Sequence, residues 1–284
     1  MKIKITADSI ADLSNELKER FNITFMPISV IVGGEEKRDG IDITTEEMLA
    51  YCDEHKELPK TSAPNAELYA EFFEENLKGY DALIHINISS ELSSIHKNAL
   101  EATKRFDGKV FAIDSRSLST GMGLLTIYAS ELTQNEDLTA QEIHDKVVAR
   151  IPKVQASFIL DKLKYLHMGG RCSAVALFGA NLLKIKPSIR LNDGKMGVGK
   201  KYMGKFQECI RKYVNDTLAE FNTPDRKRVF ITHTPTNPEY IEMIKEMLKD
   251  KFDEVLETTA GSTVASHCGR DTIGILYFND GDKQ

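Results

Sequence analysis

Long apolar runs are missing from this 284-residue chain: its longest nearly uninterrupted one, residues 174–183 (AVALFGANLL), falls far short of the roughly 20 residues a bilayer-crossing helix needs. The charged start MKIKITAD offers no signal-peptide core. These two absences argue against a membrane-embedded or exported chain, and the expectation is a cytoplasmic protein with transient membrane-surface contact at most. Paired cysteine spacing is also missing. Cys52, Cys172, Cys209 and Cys268 are scattered with no C-x-x-C, so neither a disulfide framework nor a thiolate zinc site is suggested, and reduced thiols are the simpler reading. A basic excess is lacking: 37 Lys+Arg face 43 Asp+Glu, for a net charge of -6, and the basic clusters are as short as Lys200-Lys201. Nucleic acid is therefore not the expected partner. No G-x-S-x-G elbow, H-E-x-x-H pair or post-strand G-x-G-x-x-G occurs, so the common hydrolase, metalloprotease and dinucleotide signatures are absent. No repeat of 20–50 residues or low-complexity tract interrupts the pattern.

What remains is an ordinary globular composition, 41% hydrophobic and 28% charged, at a length that suits two domains better than one. Short β-branched runs alternate with helix-length amphipathic segments, the rhythm of an α/β fold. Strands are predicted at 2–6, 24–32, 82–88 and 109–113, with helices near 14–21, 45–54, 66–77, 93–105, 121–132 and 141–152. Ile151-Pro152 marks a boundary, because proline disfavours helical geometry in the residue before it. The division is 1–154 and 155–284. In the second half, strands are predicted at 157–160, 186–191, 195–202, 228–232, 254–259 and 273–278, and helices at 174–184, 206–221 and 238–252. Asn192-Asp193-Gly194 is a hairpin signal, since these residues tolerate positive φ.

Four loops at predicted strand ends are rich in hydroxyls: Thr6 to Ser9, Thr61 to Pro64, Ser89 to Ser94, and Asp114 to Ser117. Ligands gather at the carboxyl ends of open parallel sheets, where helix N-termini offer N–H groups to an anion. Helix capping alone accounts for any one such loop. Four in one half point toward a shared pocket for a carboxylate or phosphate. His267, in Ser266-His267-Cys268-Gly269, reads as a loop histidine, able to donate to an anion but in general a solvated surface group. His85, alternating with apolar strand positions, reads as structural. Gly169-Gly170-Arg171 fits either a helix cap followed by a solvated arginine or a turn that aims a guanidinium at an anion. Gly194 to Lys201 nearly spells a P-loop, yet it lacks the final Ser/Thr and lies in a predicted hairpin, so nucleotide binding there is rejected.

Taken in order, TADSIADL at 6–13, TSAPN at 61–65, SSELS at 89–93, Asp114-Ser115, LKYLHMGGRCS at 163–173, Lys186-Pro187 with its hairpin, and His267-Cys268-Gly269 resemble the DegV family over essentially the whole chain. That family includes the fatty-acid-binding FakB subunits of the bacterial fatty acid kinase system. The resemblance implies an N-terminal Rossmann-like parallel sheet with flanking helices, a C-terminal mixed-sheet α/β domain, and a ligand tunnel between them. It implies one long-chain fatty acid, such as palmitate, stearate or oleate, whose carboxylate meets Thr61, Ser62, Ser93, Ser94 and His267. Arg171 would face a separate ATP-dependent fatty acid kinase subunit that forms an acyl phosphate. On this reading the chain is a carrier without catalytic residues, metal or cofactor. Two other classes stay open: a serine-dependent acyl ester hydrolase using Ser93 with His267, and a binder of a small phosphorylated metabolite.

Overall fold

The computed structural model describes residues 1–173 and 185–281, so the helix expected at 174–184 lies outside the described residues. Strands β1 (Ile3–Asp8), β2 (Ile23–Met26), β6 (Ala82–Asn87) and β7 (Val110–Asp114) form a parallel sheet in the order β2-β1-β6-β7. All six residues of β1 and of β6 are buried, as expected for central strands covered on both faces. A small antiparallel sheet, β4-β3-β5, is built from β3 (Ser29–Val32), β4 (Glu35–Arg38) and β5 (Lys60–Ser62). The second half supplies β8 (Val154–Leu160), β9 (Lys186–Asn192), β10 (Lys195–Tyr202), β11 (Arg228–His233), β12 (Glu254–Thr259) and β13 (Thr272–Phe278). They form one mixed sheet, β10-β9-β8-β13-β11-β12, in which only β11 and β12 pair in parallel.

The described helices are α1 (Asn15–Arg20), α2 (Thr45–His55), α3 (Ala66–Leu77), α4 (Ile95–Thr103), α5 (Thr120–Leu132), α6 (Ala140–Arg150), α7 (Lys164–Gly169), α8 (Phe206–Glu220), α9 (Pro238–Leu248) and α10 (Ser262–Cys268). None of them is long and apolar enough to cross a membrane. Helix α5 packs against β1 and β6 of the parallel sheet and against β8 and β13 of the mixed one, so it is buried nearly all round. Full burial of side chains such as Leu124, Leu125 and Ile127 contributes about 1.5–3 kcal/mol each. Gly123 permits this approach, because a Cβ there would stand 2.8 Å from Leu13 Cδ2 and 2.9 Å from the Ala11 carbonyl oxygen. α5 is thus the shared core on which the two halves meet.

Two local expectations are corrected. The run at 24–32 is not one strand. Pro27 has no N–H to continue a ladder, so the chain leaves the parallel sheet after Met26 and enters the small sheet at Ser29. His267 does not lie in a loop either; it occupies the last turn of α10. The hairpin at Asp193-Gly194 forms as predicted, with Lys195 opposite Asn192 and with φ of 47° and 80° at the two turn residues.

Candidate functional site

The hydroxyl-bearing loop after β6 is set by a buried carboxylate. Asp8, at the end of β1, is 0% exposed and accepts hydrogen bonds from Tyr69 Oη (2.5 Å), Asn87 Nδ2 (3.2 Å) and the Ile88 backbone N–H (2.9 Å). His85 Nε2 lies 3.1 Å from the same carboxylate, and its Nδ1 lies 2.8 Å from Thr6 Oγ1. His85 is therefore part of this structural network, and His96 joins it through Asn87 Oδ1 at 3.2 Å. With Ile88 fixed, the chain turns through Ser89, whose carbonyl accepts from Leu92 N and Ser93 N, and delivers Ser93 to the start of α4. Ser93 Oγ accepts from Ile95 N at 3.4 Å.

Thr61 and Ser62 come from β5, whose partner is β3, with Thr61 opposite Val30 and Ser62 opposite Ser29. Just beyond, the Asn65 side chain caps α3 by accepting from Leu68 N.

The third contribution, α10, belongs to the second half but is tied to the first. It has no side-chain cap of its own. Gly261 N donates to Asp12 Oδ1 (2.8 Å), Ser262 N to Asp39 Oδ1 (2.7 Å) and Thr263 N to Asp39 Oδ2 (2.8 Å), while Thr45 Oγ1 donates to the Ala260 carbonyl. Burial pushes the Asp12 carboxyl up to about 8, and the Asp39 charge adds to the rise, although the Ser119 hydroxyl and Gly261 N–H oppose it. Past the helix, Arg270 pairs with Glu46 and Asp53 of α2.

These elements line one common pocket. Its wall is mainly apolar, with Ile10, Ile28, Ile88, Leu92, Leu118 and Val264 among the lining residues. Thr61, Ser62, Ser93, Arg171, Thr263 and His267 are polar residues of the lining. Lining residues come from both sides of residue 154. A second pocket shares Leu118, Val264 and Cys268 with the first. Of the residues singled out in the sequence, Thr61, Ser62, Ser93, Arg171 and His267 all reach the cavity. Ser94 does not; it is exposed and outside the lining set, next in the chain to Ser93. The apolar wall residues and Thr263 were not legible beforehand, since buried aliphatics carry no mark that separates cavity from core.

His267 is half-buried, and its Nδ1 is shielded from solvent with no hydrogen-bond partner. Burial pulls its pKa down to about 4, with the nearby Arg171 charge acting in the same direction, so the imidazole is neutral at pH 7. It lies against Gly169, where a Cβ would stand 2.6 Å from Nδ1. Gly170 ends α7 at φ 70°, and Arg171 follows, exposed, donating to the Gly169 carbonyl at 2.8 Å. The glycine pair thus caps the helix, and Arg171 just beyond it is among the lining residues. Burial raises the Cys268 thiol to about 12, which leaves it a small apolar wall group at pH 7. Among the described residues, no group of three or more His, Cys, Asp or Glu could hold a metal ion.

Comparison with known proteins gives this architecture a place. A DegV domain-containing protein of Caldanaerobacter subterraneus is 28% identical over 282 residues, covering 97% of this chain and 98% of the relative. A fatty-acid-binding DegV family protein of Thermus thermophilus superposes with a TM-score of 0.87 at 25% identity, covering 98% of this chain and 99% of that one. A stearic-acid-binding protein of Eubacterium ventriosum superposes at 0.84 with 27% identity, covering 98% of each chain. The model of the uncharacterised DegV family matches residues 2–280, so with a parallel sheet, a mixed sheet and a cavity walled by both halves, the chain belongs to the DegV family.

Proposed function

We propose that this protein binds one long-chain fatty acid in the cavity between its halves, with the carboxylate at Thr61, Ser62, Ser93 and His267, beside the Ser94 backbone, and the tail along the aliphatic wall. The observation that carries this reading is the convergence of hydroxyls from two separate elements and an imidazole from a third on a cavity that is otherwise apolar. The tail supplies the affinity. About 16 carbons leaving water at roughly 0.8 kcal/mol per methylene give a gross gain on the order of 12 kcal/mol before ordering costs. The head group must be received by donors, and each charge-assisted hydrogen bond returns about 1.5–3 kcal/mol. A neutral His267 has one N–H to give. Because Nδ1 is enclosed without an acceptor, the tautomer that leaves no buried donor unpaired carries its proton on Nε2.

We further infer that the chain is a cytoplasmic carrier that presents the carboxylate, at the Arg171 edge of the cavity, to a separate ATP-dependent kinase that forms an acyl phosphate. Fatty acid binding by the Thermus thermophilus and Eubacterium ventriosum relatives supports the ligand class. Two features count against the other readings. A hydrolase base needs an acidic partner on its second ring nitrogen, and His267 Nδ1 has none. A small phosphorylated metabolite would not use so much aliphatic wall.

Organic extraction of the purified protein followed by mass spectrometry tests the ligand class, with titration of the stripped protein by palmitate and oleate. Recovery of fatty acid, or tight rebinding, is expected. A protein that yields none and binds none is not a fatty acid carrier.

A further inference from the structure

Two residues of α10 one turn apart, Thr263 and His267, share a face and line the cavity. His267 is assigned above to the carboxylate. Thr263 is 6% exposed, and its Oγ1 is closed off from solvent with no hydrogen-bond partner. A helical threonine hydroxyl usually relieves this by donating to the carbonyl three or four positions back. For Thr263 those carbonyls belong to Ala260 and Thr259, which precede the helix, and Ala260 O is already engaged by Thr45 Oγ1 at 2.8 Å. Ser266, lying deeper in the same helix, does find this relief, donating to Thr263 O at 2.7 Å. The Thr263 backbone N–H is held by Asp39 at 2.8 Å.

An unpaired buried hydroxyl is destabilising, and in a wall shared with Ile10, Ile28 and Val264 the isosteric valine would carry no such group. We propose that Thr263 forms a polar subsite partway along the acyl chain, which favours fatty acids bearing a hydroxyl or keto oxygen a few carbons from the carboxylate. The four-residue spacing from His267 corresponds to about 6 Å along the helix, the reach of roughly four or five carbon–carbon bonds. An oxygen at that depth would complete the hydrogen bond that Thr263 lacks. A site whose polar group is left unpaired by the plain analogue discriminates more strongly than one that differs only in methylene packing.

The inference rests on the fatty acid reading above, and titration calorimetry on stripped, full-length protein separates the two. Three probes are used: hexadecanoic acid and its derivatives hydroxylated at the fifth or the twelfth carbon. In the parent protein the fifth-carbon derivative is expected to gain on the plain acid, and Thr263→Val to reduce that relative preference by roughly tenfold or more. Thr263→Ser, which keeps the hydroxyl, is expected to retain it, and the twelfth-carbon derivative to show no such change. An equal ratio of plain to fifth-carbon affinity in parent and Thr263→Val would overturn the subsite. An equal change for the twelfth-carbon derivative would overturn its placement. If none of the three acids binds the parent, the fatty acid reading itself fails and takes the subsite with it.

Discussion

Asp12→Asn is expected to stabilise the protein at neutral and alkaline pH, an unusual result for a buried carboxylate that bridges two parts of a fold. Asp12 is 6% exposed, accepts from Gly261 N at 2.8 Å, and lies 2.5 Å from Ser119 Oγ. Its neighbours include Asp39, whose carboxylate takes the next two N–H groups of α10, and the Cys268 thiol. Its carboxyl titrates near 8 in the folded protein against 3.8 in a free chain. The native state therefore keeps a proton that the unfolded chain has released. Stability falls as pH rises from about 4 to about 8 and is flat in this respect above that range. Each pH unit in the window corresponds to about 1.4 kcal/mol, so the loss by pH 8 is several kcal/mol, on the order of 5. Asparagine reproduces the protonated acid: its oxygen accepts from Gly261 N and its amide donates to Ser119 Oγ. Urea unfolding at pH 5, 6, 7 and 8, with parent and variant side by side, reads the effect directly. The variant should already lead at pH 5, by about 1.6 kcal/mol, and be increasingly ahead toward pH 8. Parallel curves, or a variant weaker at every pH, would refute the assignment of a retained proton to Asp12.

Gly169→Ala places a methyl where only 2.6 Å separates it from His267 Nδ1, so the imidazole must turn; fatty acid affinity should fall several-fold, as read by calorimetry, with little change in Tm. Ser93→Ala removes one donor to the carboxylate and should weaken binding by roughly tenfold or more, whereas unchanged affinity would remove Ser93 from the head-group shell. Arg171→Ala should leave fatty acid affinity unchanged while lowering acyl phosphate production when the protein is paired with a fatty acid kinase; loss of the lipid itself would contradict its placement toward a partner.

Much of this fold is written locally. Helix α3 spans Ala66–Leu77 as predicted, because Asn65 caps it and its apolar residues recur on one face. Asp193-Gly194 declares the hairpin between β9 and β10 through residues that accept positive φ. Gly33-Gly34, at φ 61° and 82°, carries the same signal for the hairpin between β3 and β4, although Pro27 hides the start of that sheet inside a continuous apolar run. β5 shows the opposite case: three residues, Lys60–Ser62, have too little length for any period, so the strand bearing Thr61 and Ser62 is visible only as a hydroxyl-rich loop.

His267 marks the boundary between the two kinds of information. The letters around it supply a titratable ring and a glycine after it, and motif order supplies the family. They hold no sign of a helix, since the groups that cap α10 are Asp12 and Asp39, more than 220 positions earlier in the chain. Periodicity, turn chemistry and capping act between near neighbours, and so the α/β class and most elements follow from them. The meeting of Thr61, Ser93 and His267 around one cavity depends instead on how two sheets pack across α5, and on a carboxylate clamp whose partners have no local relation. That is a property of long-range packing, which no stretch of a few residues encodes.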